Sequence, residues 1–274
     1  MGAGAAEGAP APAAGPRRGR RARKARKTAG GVAWPDPQEG RRRLLEAAAP
    51  ARRILVFSGS GMSAASGMSL FSKQGGLYDK ARKRHKLKTG VRLFTYSFFE
   101  SNRAECCAFL AELCLESLRA RPTATHRAIG RLAAQGRLLR HYSEYEYMRP
   151  RREGRRTDRR KALNVDRLMG AVAGAGPVWD ADLRPGGTTV ELHGNCQEVV
   201  CPNCTWREPL DREKARSFLP TKGGAGPGVA CPACFGPMRP KVLLYGDGDA
   251  AAITPDEVFD VLDKDLETAD LVLW

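Results

Sequence analysis

The chain has 274 residues with 42% hydrophobic content, which is enough for one large domain or two small ones with a buried core. No apolar run approaches the ~20 residues of a membrane span, and eight cysteines in a chain this long indicate metal ligands and buried thiols rather than a disulfide scaffold. The net charge of +16 is concentrated in residues 1–27 (eight Lys/Arg, one Glu) and residues 149–161 (eight Lys/Arg, two acids), so the rest is close to balanced.

Residues 1–38 are rich in Ala, Gly and Pro and contain a run of Arg and Lys. They have almost nothing to bury, so we predict a disordered basic tail. Three interpretations stay open: a solvated tail, a nuclear import signal or nucleic-acid-binding arm, and an organelle transit peptide. We therefore expect a nuclear or cytoplasmic protein, with organelle transit as the alternative.

The ordered region is expected to begin near Arg41 with a helix over residues 41–49. Residues 54–57, Ile-Leu-Val-Phe, form a continuous apolar run typical of a strand buried on both faces. Strands alternating with helices predict an α/β fold with a parallel sheet. The other predicted helices are 97–118, 122–133 and 255–266, and the other predicted strands are 138–142, 190–192, 242–245 and 271–274.

Cys201, Cys204, Cys231 and Cys234 form two CxxC pairs with 26 residues between them. Two residues between cysteines let both thiolates reach one ion at the Zn–S distance of ~2.3 Å. Four thiolates complete a tetrahedron with no open position, which indicates a structural zinc site. Unconnected thiols or redox pairs are the alternative, and the paired spacing favours zinc.

The stretch from Gly59 to Tyr78, GSGMSAASGMSLFSKQGGLY, follows the first strand directly. A Gly-x-Gly turn alone is weak evidence for nucleotide binding, because ordinary tight turns also contain it. The whole stretch resembles the sirtuin signature GAGxSxxSGxxxF…GGLY, whose loop cradles NAD. The resemblance implies that the cofactor-binding residues of this loop are Gly59, Ser60, Gly61, Ser63 and Phe71.

Later segments extend the resemblance to sirtuins. Leu163-Asn164-Val165-Asp166 is similar to the family's Gln-Asn-Ile-Asp, which implies that Asn164 and Asp166 contact the nicotinamide and its ribose. Glu191-Leu-His-Gly matches the strand end that carries the family's catalytic histidine. His193 would act as a general base toward a ribose hydroxyl, which suits an imidazole with a pKa of ~6.5. His126, in a segment similar to a family helix start, is interpreted as structural.

The resemblance implies an α/β fold: a Rossmann-like parallel sheet, incomplete here, with an inserted small zinc-binding module. We expect the Rossmann-like domain at 39–195 and 241–274 and the zinc module at 196–240. The implied activity is NAD-dependent protein lysine deacetylation or deacylation, in which the acyl oxygen attacks the ribose and nicotinamide leaves. The implied cofactors are NAD and Zn²⁺, and the partner is an acyl-lysine protein, with histones as one candidate. The substrate strand would pair along 242–245.

Three departures from the family pattern weigh against activity. Leu70-Phe71-Ser72 stands where the family has Asp-Phe-Arg. Residues 144–162 form an anomalous basic insert, which we interpret as an unspliced intron or gene-model error, with a surface loop as the alternative. The sequence stops at Trp274, before the family's adenosine-side loop, so we expect weak NAD binding.

Two alternative functions remain. One is a catalytically impaired sirtuin-like fragment that acts only as a zinc- and NAD-binding module. The other is a basic nucleic-acid-binding zinc protein, which is disfavoured because Lys and Arg in the zinc module are countered by acids. We expect nucleic acid contact only through the basic tail, if at all, and no membrane partner.

Overall fold

The computed structural model describes residues 36–143 and 164–274. The predicted insert and nearly all of the predicted tail lie outside these ranges, as does Leu163. Residues up to Glu46 and residues from Ala47 onward form two separate units, and the sheets and the site belong to the second. In the first unit, Glu39 accepts hydrogen bonds from Arg42 and Arg43 within one helix.

The helices and strands follow one another along the chain in the predicted order. The helices are α1 (Pro37–Ala48), α2 (Leu77–Arg84), α3 (Tyr96–Ser101), α4 (Arg103–Ser117), α5 (Ala124–Ala134), α6 (Arg212–Ser217), α7 (Ala250–Ile253) and α8 (Glu257–Thr268). The strands are β1 (Ile54–Ser58), β2 (Leu138–Ser143), β3 (Thr189–Glu191), β4 (Gly194–Val200), β5 (Arg207–Pro209), β6 (Arg239–Val242) and β7 (Leu271–Leu273). Short 3₁₀ turns cover Ser60–Ser66, Gly90–Phe94 and Leu168–Ala171. Among the described residues, no helix is long and apolar enough to cross a membrane.

The main sheet has four parallel strands in the order β3-β2-β1-β7. Ile54, Leu55, Val56 and Phe57 are all buried, as expected for a strand covered on both faces. The predicted α/β class with a parallel sheet is therefore confirmed. The final apolar run also pairs, as β7 against β1, although it lies at the sheet edge.

Helix α8 is held to the sheet by a buried carboxylate. Asp265 accepts hydrogen bonds from the Tyr142 hydroxyl at 2.8 Å and from Arg140 Nε at 2.6 Å. Burial and the neighbouring Asp265 raise the pKa of Tyr142, so its hydroxyl stays protonated and donates. This contact joins the chain's second strand to its last helix.

The predicted helix over 97–118 is two helices, α3 and α4, separated at Asn102. The backbone of Asn102 is non-helical (φ −141°, ψ 47°), and its backbone and side-chain N–H groups both donate to Phe98 O. Asn readily satisfies helix ends in this way, which explains the break. The predicted start at residue 122 is also early, because Thr123 caps α5 and the helix begins at Ala124.

The second sheet is antiparallel, in the order β5-β4-β6, and the two cysteine pairs lie in the loops that connect its strands. The predicted strand over 242–245 was placed too late, since β6 covers Arg239–Val242. The amide N–H of Leu243 donates to His193 O, and that of Tyr245 donates to Phe94 O. Long-range bonds therefore shape this segment. The predicted limits of the zinc module, 196–240, remain a prediction.

We expect Asp265→Ala to lower the free energy of unfolding by about 3 kcal/mol, because it leaves the largely buried Arg140 without its carboxylate. Urea unfolding of purified protein measures this. Asp182→Ala is the matched control, because Asp182 is exposed and pairs with Arg207 at 3.5 Å, so its loss should change stability by less than about 0.5 kcal/mol. Equal effects of the two substitutions would contradict the role of Asp265 in holding α8 to the sheet.

Candidate functional site

The candidate cofactor loop begins where β1 ends, at the carboxyl edge of the parallel sheet. In open α/β sheets this edge is where ligands bind. The chain leaves Ser58 through extended Gly59 and enters the 3₁₀ turn Ser60–Ser66. A Cβ added to Gly61 would have no heavy atom within 4 Å, so this part of the backbone faces open space. A ligand can therefore approach the main chain here.

A small pocket with about 240 Å³ of empty space lies beside this loop. Five of the seven predicted cofactor residues line it: Ser60, Ser63, Phe71, Asn164 and Asp166. The other residues that line it are Met68, Ser69, Leu77, Leu113 and Val165. Asn164 and Asp166 are 4% and 5% exposed, so the pocket gathers buried polar side chains beside apolar ones. Convergent polar groups beside apolar side chains are typical of ligand sites.

The segment that carries Asn164 and Asp166 is anchored to β4. Cys196 N–H donates to Val165 O at 2.8 Å, and Gln197 Nε2 donates to Asp166 O at 3.0 Å. The Asp166 carboxylate accepts from Leu168 N–H at 3.0 Å, which starts the next turn. The antiparallel sheet thus orients residues of the pocket.

His126 reaches the cofactor loop, which the sequence did not indicate. Its Nδ1 lies 2.8 Å from Thr123 Oγ1 and caps α5, as a structural histidine would. Its Nε2 lies 3.4 Å from Ser63 Oγ. Burial lowers the pKa of His126, against an opposing effect of Asp166, so the ring is neutral near pH 7. In the sequence, only the spacing of His126 from Pro122 pointed to a role for this histidine.

His193 lies in the two-residue turn between β3 and β4 and is half-buried. Gly194 ends that turn with φ +66°, and a Cβ there would lie 2.0 Å from Lys241 O. Only glycine fits this position, because it needs both a left-handed backbone and a close approach. Among the described residues, His193 is not one of those that line the 240 Å³ pocket. It is connected to the pocket through β4.

A buried charge cluster flanks the turn that carries His193. The Asn195 amide donates to Glu191 at 2.6 Å and to Glu198 at 3.1 Å. Lys241 Nζ lies 3.1 Å from Glu198, and Arg167 also pairs with Glu198. Burial raises the pKa of Glu191 to about 7. Burial acts in the same direction on Glu198, but Lys241 and Arg167 outweigh it and hold that pKa at about 2.

Sequence reasoning missed this cluster. Its members come from four separate segments, so no local spacing connects them. The cluster connects the loop after Asp166, the histidine turn and β6. It therefore fixes these three segments relative to one another.

The four predicted zinc ligands lie together, with all four Sγ atoms within 4.8 Å of one another. Cys201 and Cys234 Sγ are 3.4 Å apart, and Cys204 and Cys231 Sγ are 3.5 Å apart. Thiolates in a Zn–S tetrahedron lie about 3.8 Å apart, so this donor set fits a zinc ion. In each knuckle a turn bond closes on the first cysteine's carbonyl, from Thr205 N–H to Cys201 O and from Phe235 N–H to Cys231 O.

Arg239 fixes the segment expected to meet the substrate. It is fully buried, donates to Asp247 at 2.8 and 2.9 Å and to Asp249 at 3.2 Å, and lies 4.5 Å over the Phe99 ring. A buried guanidinium whose two terminal nitrogens are both paired holds its loop in one arrangement. The same segment touches α2, since the Tyr78 and Tyr245 hydroxyls are 3.0 Å apart.

Residues 59–144 and 180–274 match the sequence model described as the Sir2 family. The NAD-dependent protein deacetylase hst4 of Emericella nidulans is 24% identical, and the match covers 74% of this chain and 33% of that protein. NAD-dependent protein deacylase 2 of Pseudomonas aeruginosa is 28% identical, with 81% of this chain and 70% of that protein covered. The chain thus spans only a third of the length of the first relative.

The solved structures agree on the fold. The complex of a Sir2 homologue with NAD aligns with a TM-score of 0.58 at 20% identity, and the alignment covers 84% of this chain and 70% of that chain. Sir2Tm bound to a propionylated peptide aligns with a TM-score of 0.54 at 20% identity, over 84% of this chain and 73% of that chain. The predicted Rossmann-like architecture is therefore confirmed.

We expect the purified chain to hold one zinc ion and Cys204→Ser to lose it, because three thiolates no longer complete the tetrahedron. The melting temperature should fall as well, since the metal substitutes for a core in this module. Metal analysis by mass spectrometry and thermal melting with and without a chelator measure both effects. Cys107→Ser, a buried thiol outside the cluster, should retain zinc. Full zinc occupancy in Cys204→Ser would disprove the assignment.

Glu191→Gln should change how stability depends on pH. Because burial raises the folded-state pKa of Glu191 to about 7, its contribution to stability is present at low pH and is lost as pH rises from about 4.5 to 7. Between pH 5 and pH 8 the wild type should lose about 2 kcal/mol that the Gln variant keeps. Denaturant unfolding at both pH values measures the difference. The exposed Glu100→Gln is the control and should follow the wild type.

Proposed function

We propose, since this chain belongs to the Sir2 family, that it is an NAD-dependent protein lysine deacetylase or deacylase that consumes NAD and releases nicotinamide. The observation that carries the proposal is the pocket that gathers Ser60, Ser63, Phe71, Asn164 and Asp166. The names of the relatives, which are NAD-dependent deacetylases and deacylases, support the same activity.

The residues around the pocket suit a dinucleotide. Gly59, Ser60, Gly61 and Ser63 would hold it through main-chain N–H groups and hydroxyls. Asn164 and Asp166 would offer a donor and an acceptor at the nicotinamide end, beside the apolar face of Phe71. When bound, NAD supplies the ADP-ribosyl group that accepts the acyl oxygen of the substrate. The apolar lining from Met68, Leu77 and Leu113 would keep water from that end of the site.

His193 would be the general base, taking a proton from a ribose hydroxyl through an imidazole whose usual pKa lies near working pH. Its turn is constrained at both ends. The His193 carbonyl accepts from Leu243 N–H at 3.0 Å, and Gly194 packs against Lys241 O. A base held by its backbone loses little entropy on reaching its working position.

The substrate would be an acyl-lysine protein, held along the segment after β6. The amide groups of Leu243, Leu244 and Tyr245 already donate within the chain, to His193 O, Asp247 and Phe94 O. A substrate strand would therefore have to donate to carbonyl groups of this segment rather than receive its N–H bonds. Histones are candidate substrates because a relative from Candida albicans is named an NAD-dependent histone deacetylase. A nuclear or cytoplasmic location fits this proposal.

We expect His193→Ala to lower nicotinamide release from NAD and an acetyl-lysine peptide by about 100-fold or more, because a general base contributes that much. Steady-state measurement of the net nicotinamide formed from NAD in the presence of the peptide measures it. His85→Ala, at the C-terminal end of α2 and outside the pocket lining, is the matched control and should retain activity. Wild-type chain that binds NAD without turnover would favour the alternative of an impaired binding module.

A further inference from the structure

A second feature of the described chain is an exposed band of positive charge. Residues 73–92 contain eight Lys/Arg and a single acid. Residues 1–27 and residues 149–161 together account for +13 of the net charge of +16. This band adds +7, so the rest of the chain carries about −4. The near balance of the folded body therefore hides a polarised distribution. We name residues 73–92 the α2 basic surface.

The local fold explains why these cations face solvent. Leu77 and Ala81 are the buried positions of α2, and Leu93 and Phe94 follow in the core. The inward positions are apolar, so the outward ones are left to Lys and Arg. Lys80, Arg82 and Arg84 have carboxylate partners. Within the described ranges, no ion pair involves the remaining cations of the surface, which are Lys73, Lys83, Lys86, Lys88 and Arg92.

Helix stability accounts for only part of this charge. Cations in the last turn of α2, up to Arg84, offset the helix dipole. Lys86, Lys88 and Arg92 lie beyond the helix end, where this effect has faded. Lys86 also occupies the left-handed region, with φ 49°, while Leu87 N–H closes the helix onto Arg82 O. Glycine at this position would lower the conformational free energy of the backbone by about 1 kcal/mol. The chain therefore has a lysine here despite a small cost in stability.

We propose that the α2 basic surface binds the phosphate backbone of duplex nucleic acid without sequence preference. Lys83 on α2 and Lys86 and Lys88 after it are exposed, and exposed cations are what phosphate contacts require. Single-stranded nucleic acid would need exposed aromatic rings for stacking, but Tyr78 is half-buried against Tyr245. A membrane would need an exposed apolar face, and the only large apolar side chain exposed in this band is Val91, at 39%. An acidic protein would need several aromatic or aliphatic anchors, and Val91 is the one large apolar side chain exposed in this band.

The position of this surface gives the binding a use. Helix α2 touches the segment expected to receive substrate, through the Tyr78–Tyr245 contact at 3.0 Å. A duplex on α2 would place acyl-lysines of DNA-bound proteins near the candidate cleft. Nucleic acid contact would then extend beyond the basic tail, where the sequence-based expectation placed it. The inference goes beyond the proposed function and does not depend on turnover.

The test compares full-length chains in binding to a short DNA duplex across a salt series. Lys83→Gln, Lys86→Gln and Lys88→Gln are combined in the surface variant. The control combines Arg212→Gln, Arg216→Gln and Lys222→Gln, which remove equal charge from exposed positions of the zinc module. Loss of three phosphate contacts should reduce the slope of log K against log salt by about 2.7 and weaken binding more than tenfold at 0.1 M salt. The control should stay within about twofold of the wild type.

A second variant separates binding from folding. Lys86→Gly relieves the left-handed strain, so it should melt at a higher temperature than the wild type while its salt slope falls by about 0.9. Equal slopes and affinities for the surface variant and the control would overturn the proposal. So would a surface variant that keeps duplex binding but no longer binds phosphatidylserine vesicles or an acidic peptide.

Discussion

Strand β4 is the element on which the candidate site depends. It begins at Gly194, whose left-handed backbone packs against Lys241 O, and it ends beside the first zinc-ligand candidate, Cys201. Between these points Cys196 N–H bonds Val165 O and so holds the segment of Asn164 and Asp166. The histidine turn, the pocket and the cysteine cluster are therefore positioned by a single strand. A disturbance of the zinc module would reach the pocket through this backbone ladder rather than through any direct side-chain contact.

Buried ion pairs hold the surrounding parts together. Arg239 binds Asp247 and Asp249, Glu198 binds Lys241 and Arg167, and Asp265 binds Arg140. Such pairs add little net stability over apolar side chains, but removing one partner is costly. Their effect is to allow one arrangement of the loops that surround the site. Glu191 is the exception in the network, because its raised pKa leaves it partly protonated near neutral pH.

Surface charge has a different role from buried charge in this molecule. The buried ions pair within the fold and leave little field outside. The α2 basic surface keeps cations that form no ion pair within residues 36–143 and 164–274, and its helix contacts the segment expected to bind substrate through Tyr78. An interface of this kind acts at long range and weakens with salt, whereas the pocket acts at contact distance. Substitutions on the α2 basic surface would thus change partner binding, and substitutions in the pocket would change the reaction, independently of each other.

Local pattern in the sequence was sufficient for the parts whose physics is local. The apolar run Ile54–Phe57 predicted the central buried strand, the two CxxC pairs predicted a cluster that fits zinc, and the glycine stretch predicted the loop at the sheet edge. Each of these features is carried by short stretches of sequence, although 26 residues separate the two CxxC pairs. The resemblance to sirtuins rested on such stretches, and it named pocket residues that the fold then placed together.

Tertiary structure decided everything that depends on residues far apart in the chain. The contact of His126 with Ser63, the charge cluster around Glu198, and the displacement of the predicted 242–245 strand to Arg239–Val242 all follow from long-range pairing with β4 or the cofactor loop. The exposed band on α2 also became visible only when Leu77 and Ala81 were seen to face the core. The physical reason is the same in each case, because burial and ion pairing are set by which distant segments meet, and no spacing along the chain encodes that.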